Sequence, residues 1–209
     1  MSLKLVVGLL IGTACCFVSA EPIKPYIRVS GGASILNAGD MHWDGDKYGS
    51  LDYHTGRVLG FAAGAQMGSI RAELEYSHQK NEINECKYTD GSKEDMISSA
   101  LTVQKLMVNG YYDFKNSSNF TPYLMAGAGL AREKFNSGNW DERLSETLPA
   151  LQAGAGLSYA ITENISIDTE YRYLVTVGNI DGQPWDNGQD RLGGASGHIL
   201  QMGARYTFN

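Results

Sequence analysis

Hydrophobic and polar residues alternate along eight separate stretches of the chain. In the stretch 70–78, apolar residues occupy the even positions through 76, and arginine, glutamate and serine occupy the odd positions. Because successive side chains of a β-strand point to opposite faces, this period of two predicts strands with one apolar and one polar face. The predicted strands are 26–35, 58–67, 70–78, 99–114, 123–132, 151–160, 165–174 and 198–208.

The connections between these strands alternate between long and short. Long polar connections cover 37–56, 79–96, 133–147 and 176–197, whereas 68–69, 115–121 and 162–164 are short turns. Transmembrane barrels show this asymmetry, and a soluble β-sandwich with the same period of two has no need of it. A strand of ten residues, tilted by about 45°, also rises by about 23 Å, close to the apolar band of such barrels. The sequence therefore predicts an all-β fold, an eight-stranded antiparallel transmembrane β-barrel with four long extracellular loops and three short periplasmic turns.

The final strand, 198–208, has the composition needed to close a barrel against the first strand. Its alternate apolar residues end in Tyr206 and Phe208, next to the last residue of the chain. We interpret these two aromatic residues as a C-terminal assembly signal, read by the barrel-assembly machinery.

The start of the chain predicts export. Lys4 precedes an apolar run from 5 to 17 and small residues at 18–20, which is the pattern of a secretory signal peptide. We predict a signal peptide at 1–20 and a single outer-membrane β-barrel domain at 21–209, located in a Gram-negative outer membrane as a multi-pass barrel. Lipidation of Cys15 or Cys16 is the disfavoured alternative, because the residues upstream are not the apolar ones that it requires.

Charge and cysteine content narrow the remaining options. The chain has 17 basic and 23 acidic residues, a net charge of −6, which disfavours binding to nucleic acid. Without the signal peptide, Cys86 is the one remaining cysteine, so no internal disulfide can form. We place it in a polar loop as a spare thiol, with an intermolecular bridge as the alternative.

Assigning the apolar faces to outer-membrane lipid places ten charged side chains in the interior. They are Arg28, Arg71, Glu73, Glu75, Lys105, Asp113, Asp168, Glu170, Arg172 and Arg205. The two signs balance, eight strands leave room for side chains only, and buried charges must be paired. We therefore predict a charge network that plugs the barrel, with a narrow porin-like path for ions or small solutes as the alternative.

Two further features refine this interior. Glycines on the inward face, among them Gly64 and Gly156, should leave room for arginine and tyrosine side chains. In the fourth strand, Leu101 and Val103 have the opposite phase from the residues that follow. This predicts either a bulge or an aqueous extension near Gln104.

Short motifs resemble the opacity-type and surface-antigen family of small outer-membrane barrels. They are Leu-Met-Val-Asn-Gly-Tyr-Tyr-Asp-Phe at 106–114, Thr-Pro-Tyr-Leu-Met-Ala-Gly-Ala-Gly-Leu at 121–130, Glu-Tyr-Arg-Tyr at 170–173 and Gly-Ala-Arg-Tyr-Thr-Phe at 203–208. The resemblance implies an eight-stranded barrel, variable surface loops, and a role in adhesion, host contact or immune exposure. It makes a host or extracellular ligand the expected partner.

The loops hold the remaining candidate residues. Trp43, Trp140 and Trp185 each precede an aspartate, and they either anchor a partner or, as we favour, lie at the membrane interface and pack loops together.

The first loop contains an acidic group that could hold a cation, formed by Asp40, Asp44 and Asp46 with His42. We favour the alternative, a solvated acidic loop. No metal or cofactor is predicted. Ser77 and His78 point to opposite faces of a strand and cannot form a nucleophile–base pair, so no enzyme activity is predicted.

Overall fold

The computed structural model describes residues 21–95, 98–137, 142–181 and 190–208. Within these ranges no helix is long and apolar enough to cross a membrane. The thirteen strands are β1 Lys24–Leu36, β2 Gly39–Trp43, β3 Asp46–Tyr53, β4 Gly56–Met67, β5 Ile70–Tyr88, β6 Lys93–Asp95, β7 Ala100–Asp113, β8 Phe120–Ser137, β9 Glu142–Ala160, β10 Ile165–Thr176, β11 Asn179–Asp181, β12 Asp190–Gly193 and β13 Ser196–Thr207.

Eight of these strands close into an antiparallel barrel. Their order around the wall is β1, β4, β5, β7, β8, β9, β10 and β13. The last strand pairs with the first, from Tyr26 opposite Thr207 to Leu36 opposite Gly197. The predicted eight-stranded antiparallel barrel is therefore confirmed, and no edge of the wall is left unpaired.

The barrel strands are longer than predicted at the end that carries the long connections. β5 and β9 have 19 residues each and β8 has 18. A strand of 19 residues at about 45° tilt rises by about 44 Å, well beyond the apolar band of about 25 Å. The prediction of a loop from residue 79 is wrong, since β5 continues to Tyr88.

The long connections fold into a second sheet above the membrane. Its order is β11, β12, β2, β3 and the upper part of β5, which also pairs with β6. We call β2, β3, β6, β11 and β12, with the upper ends of β5, β8 and β9, the cap.

The hairpin of β2 and β3 replaces the expected polar loop. Its two-residue turn, Asp44 and Gly45, has positive φ angles of 50° and 96°, as a type I′ turn requires. Asp40 and Lys47 form an ion pair of 2.6 Å between the two strands. The acidic residues are thus elements of a hairpin, and no cluster that could hold a metal occurs among the described residues.

The inward face changes from polar to apolar where the strands leave the membrane. A cluster of buried apolar residues fills the mouth of the barrel beneath the cap, and we call it the extracellular core. It comprises Leu36, Met41, Leu51, Val58, Ile83, Cys86, Leu101, Val103, Met107, Ala131, Phe135, Ala150, Leu174, Ile180, Leu192, Ala195 and Ile199.

The extracellular core explains the phase change in β7. Pairing of β7 with β5 and β8 continues without a shift through Gln104, so the predicted bulge is wrong. The alternative, an extension of the strand beyond the membrane, is right. Regular pairing of β7 continues through 100–104, and Leu101 and Val103 point inward there and are buried. The placement of Cys86 in a polar loop is also wrong, since it lies in β5 and is fully buried.

Candidate functional site

The structure places all ten predicted charged side chains inside the barrel. None of them exposes more than the 6% of Arg205. They come from five different strands, because every second residue of a barrel strand points inward. Pairing between them therefore links parts of the chain that lie far apart in sequence.

The central group joins β1, β5 and β10. Arg28 Nη2 donates to Glu73 Oε1 at 2.8 Å and to Glu75 Oε2 at 3.0 Å. Arg172 Nη1 donates to both oxygens of Glu75, at 2.9 and 2.8 Å, and Arg172 Nε donates to Glu170. Glu75 thus lies between two guanidinium groups, and each charge of this central group has a neighbour of opposite sign.

Two further pairs lie on the periplasmic side of this group. Arg71 donates to Asp113, from Nε at 3.0 Å and from Nη2 at 2.8 Å. The same guanidinium lies 4.3 Å from the ring centre of Tyr111 and 4.7 Å from that of Tyr123. Arg205 lies 3.3 Å from Asp168.

Uncharged polar side chains complete the network, and sequence reasoning missed them. Tyr26 donates to Glu73 Oε2 at 3.0 Å, and Tyr111 also donates to Glu73. Asn109 donates to Glu73 and Glu75 at 3.2 and 3.1 Å, and Gln152 donates to Asn109 at 2.7 Å. Their inward position in the alternating pattern was the signal that could have found them.

Two inward glycines make room for the tyrosines. A methyl group at Gly64 would lie 2.6 Å from Cζ of Tyr26, and one at Gly156 would be closer still to Tyr123. Larger residues at these positions would displace the rings that lie against the arginines.

Lys105 differs from the other charged residues of the interior. Among the described residues no carboxylate lies within ion-pairing distance of it, and its Nζ donates to Gln79 Oε1 at 3.4 Å. It lies two residues from Val103 and two from Met107, at the level where the interior becomes apolar. The ion-pair network therefore ends below Lys105.

Glu133 is a buried carboxylate of the cap that the sequence placed in a loop. It accepts hydrogen bonds from Thr176 Oγ1 at 2.7 Å and from the backbone N–H of Ala195 at 3.0 Å. Burial raises the pKa of Glu133 above its ordinary value, and the two hydrogen bonds oppose this shift in part. The carboxyl group joins β8 to the last residue of β10 and to the connection between β12 and β13.

We expect the cap to become more stable on acidification. Because the pKa of Glu133 is higher in the folded than in the unfolded state, the folded cap binds the proton more tightly, and its stability falls as pH rises through the folded pKa. Hydrogen exchange at Ala195, corrected for intrinsic rates, should slow between about pH 8 and about pH 5.

The variant Glu133→Gln keeps an acceptor for Thr176 and removes the titrating group, so this exchange should lose its pH dependence. Glu82→Gln, an exposed and outward-facing change in β5, should leave the dependence intact. Equal pH dependence in Glu133→Gln and the unchanged protein would contradict this role.

The other predicted residues lie on the surface or outside the described residues. Trp43 is 37% exposed at the end of β2, and Trp140 and Trp185 fall outside the described ranges. Ser77 points inward and His78 outward, so they cannot act as a pair.

The C-terminal aromatic residues face outward at the periplasmic end. The rings of Tyr206 and Phe208 meet edge to face at 5.0 Å, and the Phe208 N–H donates to Pro25 O at 2.8 Å. Their recognition by the barrel-assembly machinery stays a prediction.

A closed antiparallel barrel with an apolar outer face and a polar, filled interior defines an integral outer-membrane protein. The chain belongs to the outer membrane protein beta-barrel domain family, whose model matches residues 7–208. It is therefore a protein of the Gram-negative outer membrane.

Relatives and solved structures agree with this assignment. The chain is 42% identical to outer membrane protein PagN of Salmonella typhimurium over 86 residues. This aligned part covers 37% of this chain and 36% of PagN. Over 192 residues it is 28% identical to an uncharacterised protein of Brucella abortus, with 76% and 62% covered. The matches thus cover 36% and 62% of these two relatives.

Two solved structures share the fold. Neisserial surface protein A has a TM-score of 0.60 at 21% identity, with 90% of this chain and 100% of that chain covered. OprG of Pseudomonas aeruginosa has a TM-score of 0.60 at 16% identity, with 90% and 98% covered.

Proposed function

We propose that this barrel is a non-catalytic surface protein that contacts a host or environmental partner through its cap. The observation that carries the proposal is the closed mouth of the barrel. The charge network fills the membrane-spanning interior, and the extracellular core covers it from above. A path for solutes would have to cross both layers, which favours a surface role over the porin-like alternative.

The cap has the properties of a preorganised recognition surface. It is a hydrogen-bonded sheet over its own apolar core, so little conformational entropy is lost on binding. The β2–β3 hairpin presents Trp43 next to Asp44 and Asp46 at its tip. Exposed tryptophans are frequent anchors of protein interfaces, and the acidic tip favours a positively charged partner surface.

Substitutions at the hairpin tip should reduce binding without changing the barrel. We would combine Trp43→Ser, Asp44→Asn and Asp46→Asn, since asparagine suits the positive φ at position 44. Attachment of beads that carry the protein to cultured host cells should fall by roughly tenfold or more. Raising the salt concentration should weaken attachment of the unchanged protein as well.

Glu21→Gln/Glu163→Gln is the charge-matched control, because it removes two negative charges from exposed positions at the periplasmic end. It should bind as the unchanged protein does. Full attachment after the tip substitutions and after exchange of the whole β2–β3 hairpin would refute the recognition role. Steady single-channel conductance of the unchanged protein in planar bilayers would favour the porin-like alternative instead.

A further inference from the structure

The last extracellular hairpin is bent, so that its outer half covers the mouth of the barrel. β10 and β13 form the inner half in the barrel wall, and β11 and β12 form the outer half above it. The outer half leaves the wall and pairs with β2 in the cap. Ile180 of β11 and Leu192 of β12 are buried in the extracellular core below. We call β11 and β12 the lid.

Glycine residues lie on both sides of the bend between the wall and the lid. Gly178 leads into β11 and has a φ of 126°, which residues with a side chain rarely adopt. On the other side, a methyl group at Gly194 would lie 2.5 Å from Thr176 Oγ1, so only glycine allows this close approach. Hinges consist of a few residues at the ends of structural elements that can absorb changes in φ and ψ. The bend therefore has the properties of a hinge.

Glu133 of β8 fastens this hinge from inside the barrel. Its carboxylate accepts hydrogen bonds from Thr176 Oγ1 at 2.7 Å and from the Ala195 N–H at 3.0 Å. Thr176 ends β10 and Ala195 lies between β12 and β13, so the two donors come from the two sides of the hinge. A lid that turned about this hinge would withdraw them from Glu133. A carboxylate that loses its donors needs water or a positive charge in their place.

Lys105 of β7 is a positive charge within reach of Glu133. Both side chains are buried, and they are the two buried charged residues in the described part of the chain that form no ion pair. Lys105 lies directly opposite Ala131 of β8. Glu133 follows Ala131 by two residues and is therefore a diagonal neighbour of Lys105 on the same inward face. Diagonal neighbours are about 7–8 Å apart, a distance that two long side chains can span.

The hydrogen bond that Lys105 forms in the closed barrel is weak. Its Nζ donates to Gln79 Oε1 at 3.4 Å, which is longer than the usual range for such bonds. An ammonium group forms a stronger hydrogen bond with a carboxylate than with a neutral amide. Exchange of Gln79 for Glu133 would therefore improve the contacts of Lys105.

We propose that Glu133 is a latch with two positions. In the first position, which the structure shows, it binds Thr176 and Ala195 and holds the lid down. In the second position, the lid is raised and Glu133 forms an ion pair with Lys105. This pair lowers the free energy of the raised state and so increases its population. A raised lid uncovers part of the extracellular core, whereas the charge network below it still fills the membrane-spanning interior.

Hydrogen exchange of the β12 amides tests the latch, because these amides exchange when the lid opens. The full chain would be refolded in lipid nanodiscs, and exchange would be followed by NMR at a single fixed pH. Lys105→Met removes the partner that stabilises the raised state, so exchange should slow roughly tenfold. In the Glu133→Gln background no ion pair can form, and there the same change should alter exchange by less than about twofold.

Lys115→Met is the matched control, because it removes an exposed lysine from a periplasmic turn. It should leave exchange of the β12 amides unchanged. The heat-modifiable band would show that each variant is folded, and Lys105→Gln replaces Lys105→Met if the methionine variant does not refold. Two results would overturn the proposal. One is unchanged exchange after loss of Lys105, and the other is equal slowing in both backgrounds, which would mean that Lys105 acts on the lid without Glu133.

Discussion

Replacement of Glu75 by alanine should lower the free energy of unfolding of the barrel by roughly 3–5 kcal/mol. Glu75 is 2% exposed and accepts hydrogen bonds from both Arg28 and Arg172. Without it, the two buried guanidinium groups would keep only Glu73 and Glu170 as partners of opposite charge. Urea titration of the refolded protein in lipid vesicles would measure the loss.

Two companions make this experiment specific. Glu82→Ala removes the same charge from the outward, exposed face of the same strand, and it should change stability by about 0.5 kcal/mol or less. The double variant Glu75→Ala/Arg172→Met should cost less than the sum of the single changes, because it removes both members of an ion pair. Equal stability of Glu75→Ala and the unchanged protein would show that the interior is hydrated and loosely arranged.

Leu101→Asp should open the cap while the membrane-spanning barrel stays folded. Leu101 is 1% exposed in the extracellular core, opposite Asn81 and Phe135. An unpaired carboxylate buried there costs several kcal/mol in addition to the lost apolar contacts, on the order of 2–5 kcal/mol for a leucine. The cap strands should therefore detach and become accessible to protease added outside intact vesicles.

The neighbouring position provides the control for this change. Thr102 is half-buried and points outward, so Thr102→Asp should leave the cap resistant to protease. Both variants should still show the mobility difference between boiled and unboiled samples that marks a folded barrel. Protease resistance of Leu101→Asp equal to that of the unchanged protein would mean that the cap does not depend on the extracellular core.

Much of the barrel could be predicted because its constraint is local. In β5, Arg71, Glu73 and Glu75 alternate with apolar residues, and hydrocarbon on one side and a narrow interior on the other require that alternation. The closure of β13 on β1 followed from the same reasoning, as did the inward position of the ten charged residues. These conclusions needed the residue sequence, the lengths of the connections and the properties of lipid, and no knowledge of how the loops fold.

The cap could not be predicted in this way, although a local signal was present. Asp44-Gly45 is a strong type I′ hairpin signal, but the prediction for this segment is a solvated acidic loop. The phase of Leu101 differs from that of the residues that follow it, yet the extracellular core that buries it also takes residues from β2, β3 and β12. Apolar burial of that kind appears only when several connections fold over one mouth.

The sequence by itself determined which residues of the barrel face lipid and which face the interior. Side chains alternate between the two faces of a strand, and hydrocarbon accepts only the apolar set. Only the tertiary structure decided which buried charges meet. Arg28 and Glu73 are 45 residues apart, and their contact depends on the stagger of the strands around the closed wall. It also decided that the strands continue beyond the membrane, since above the lipid the apolar side chains must turn inward to leave water.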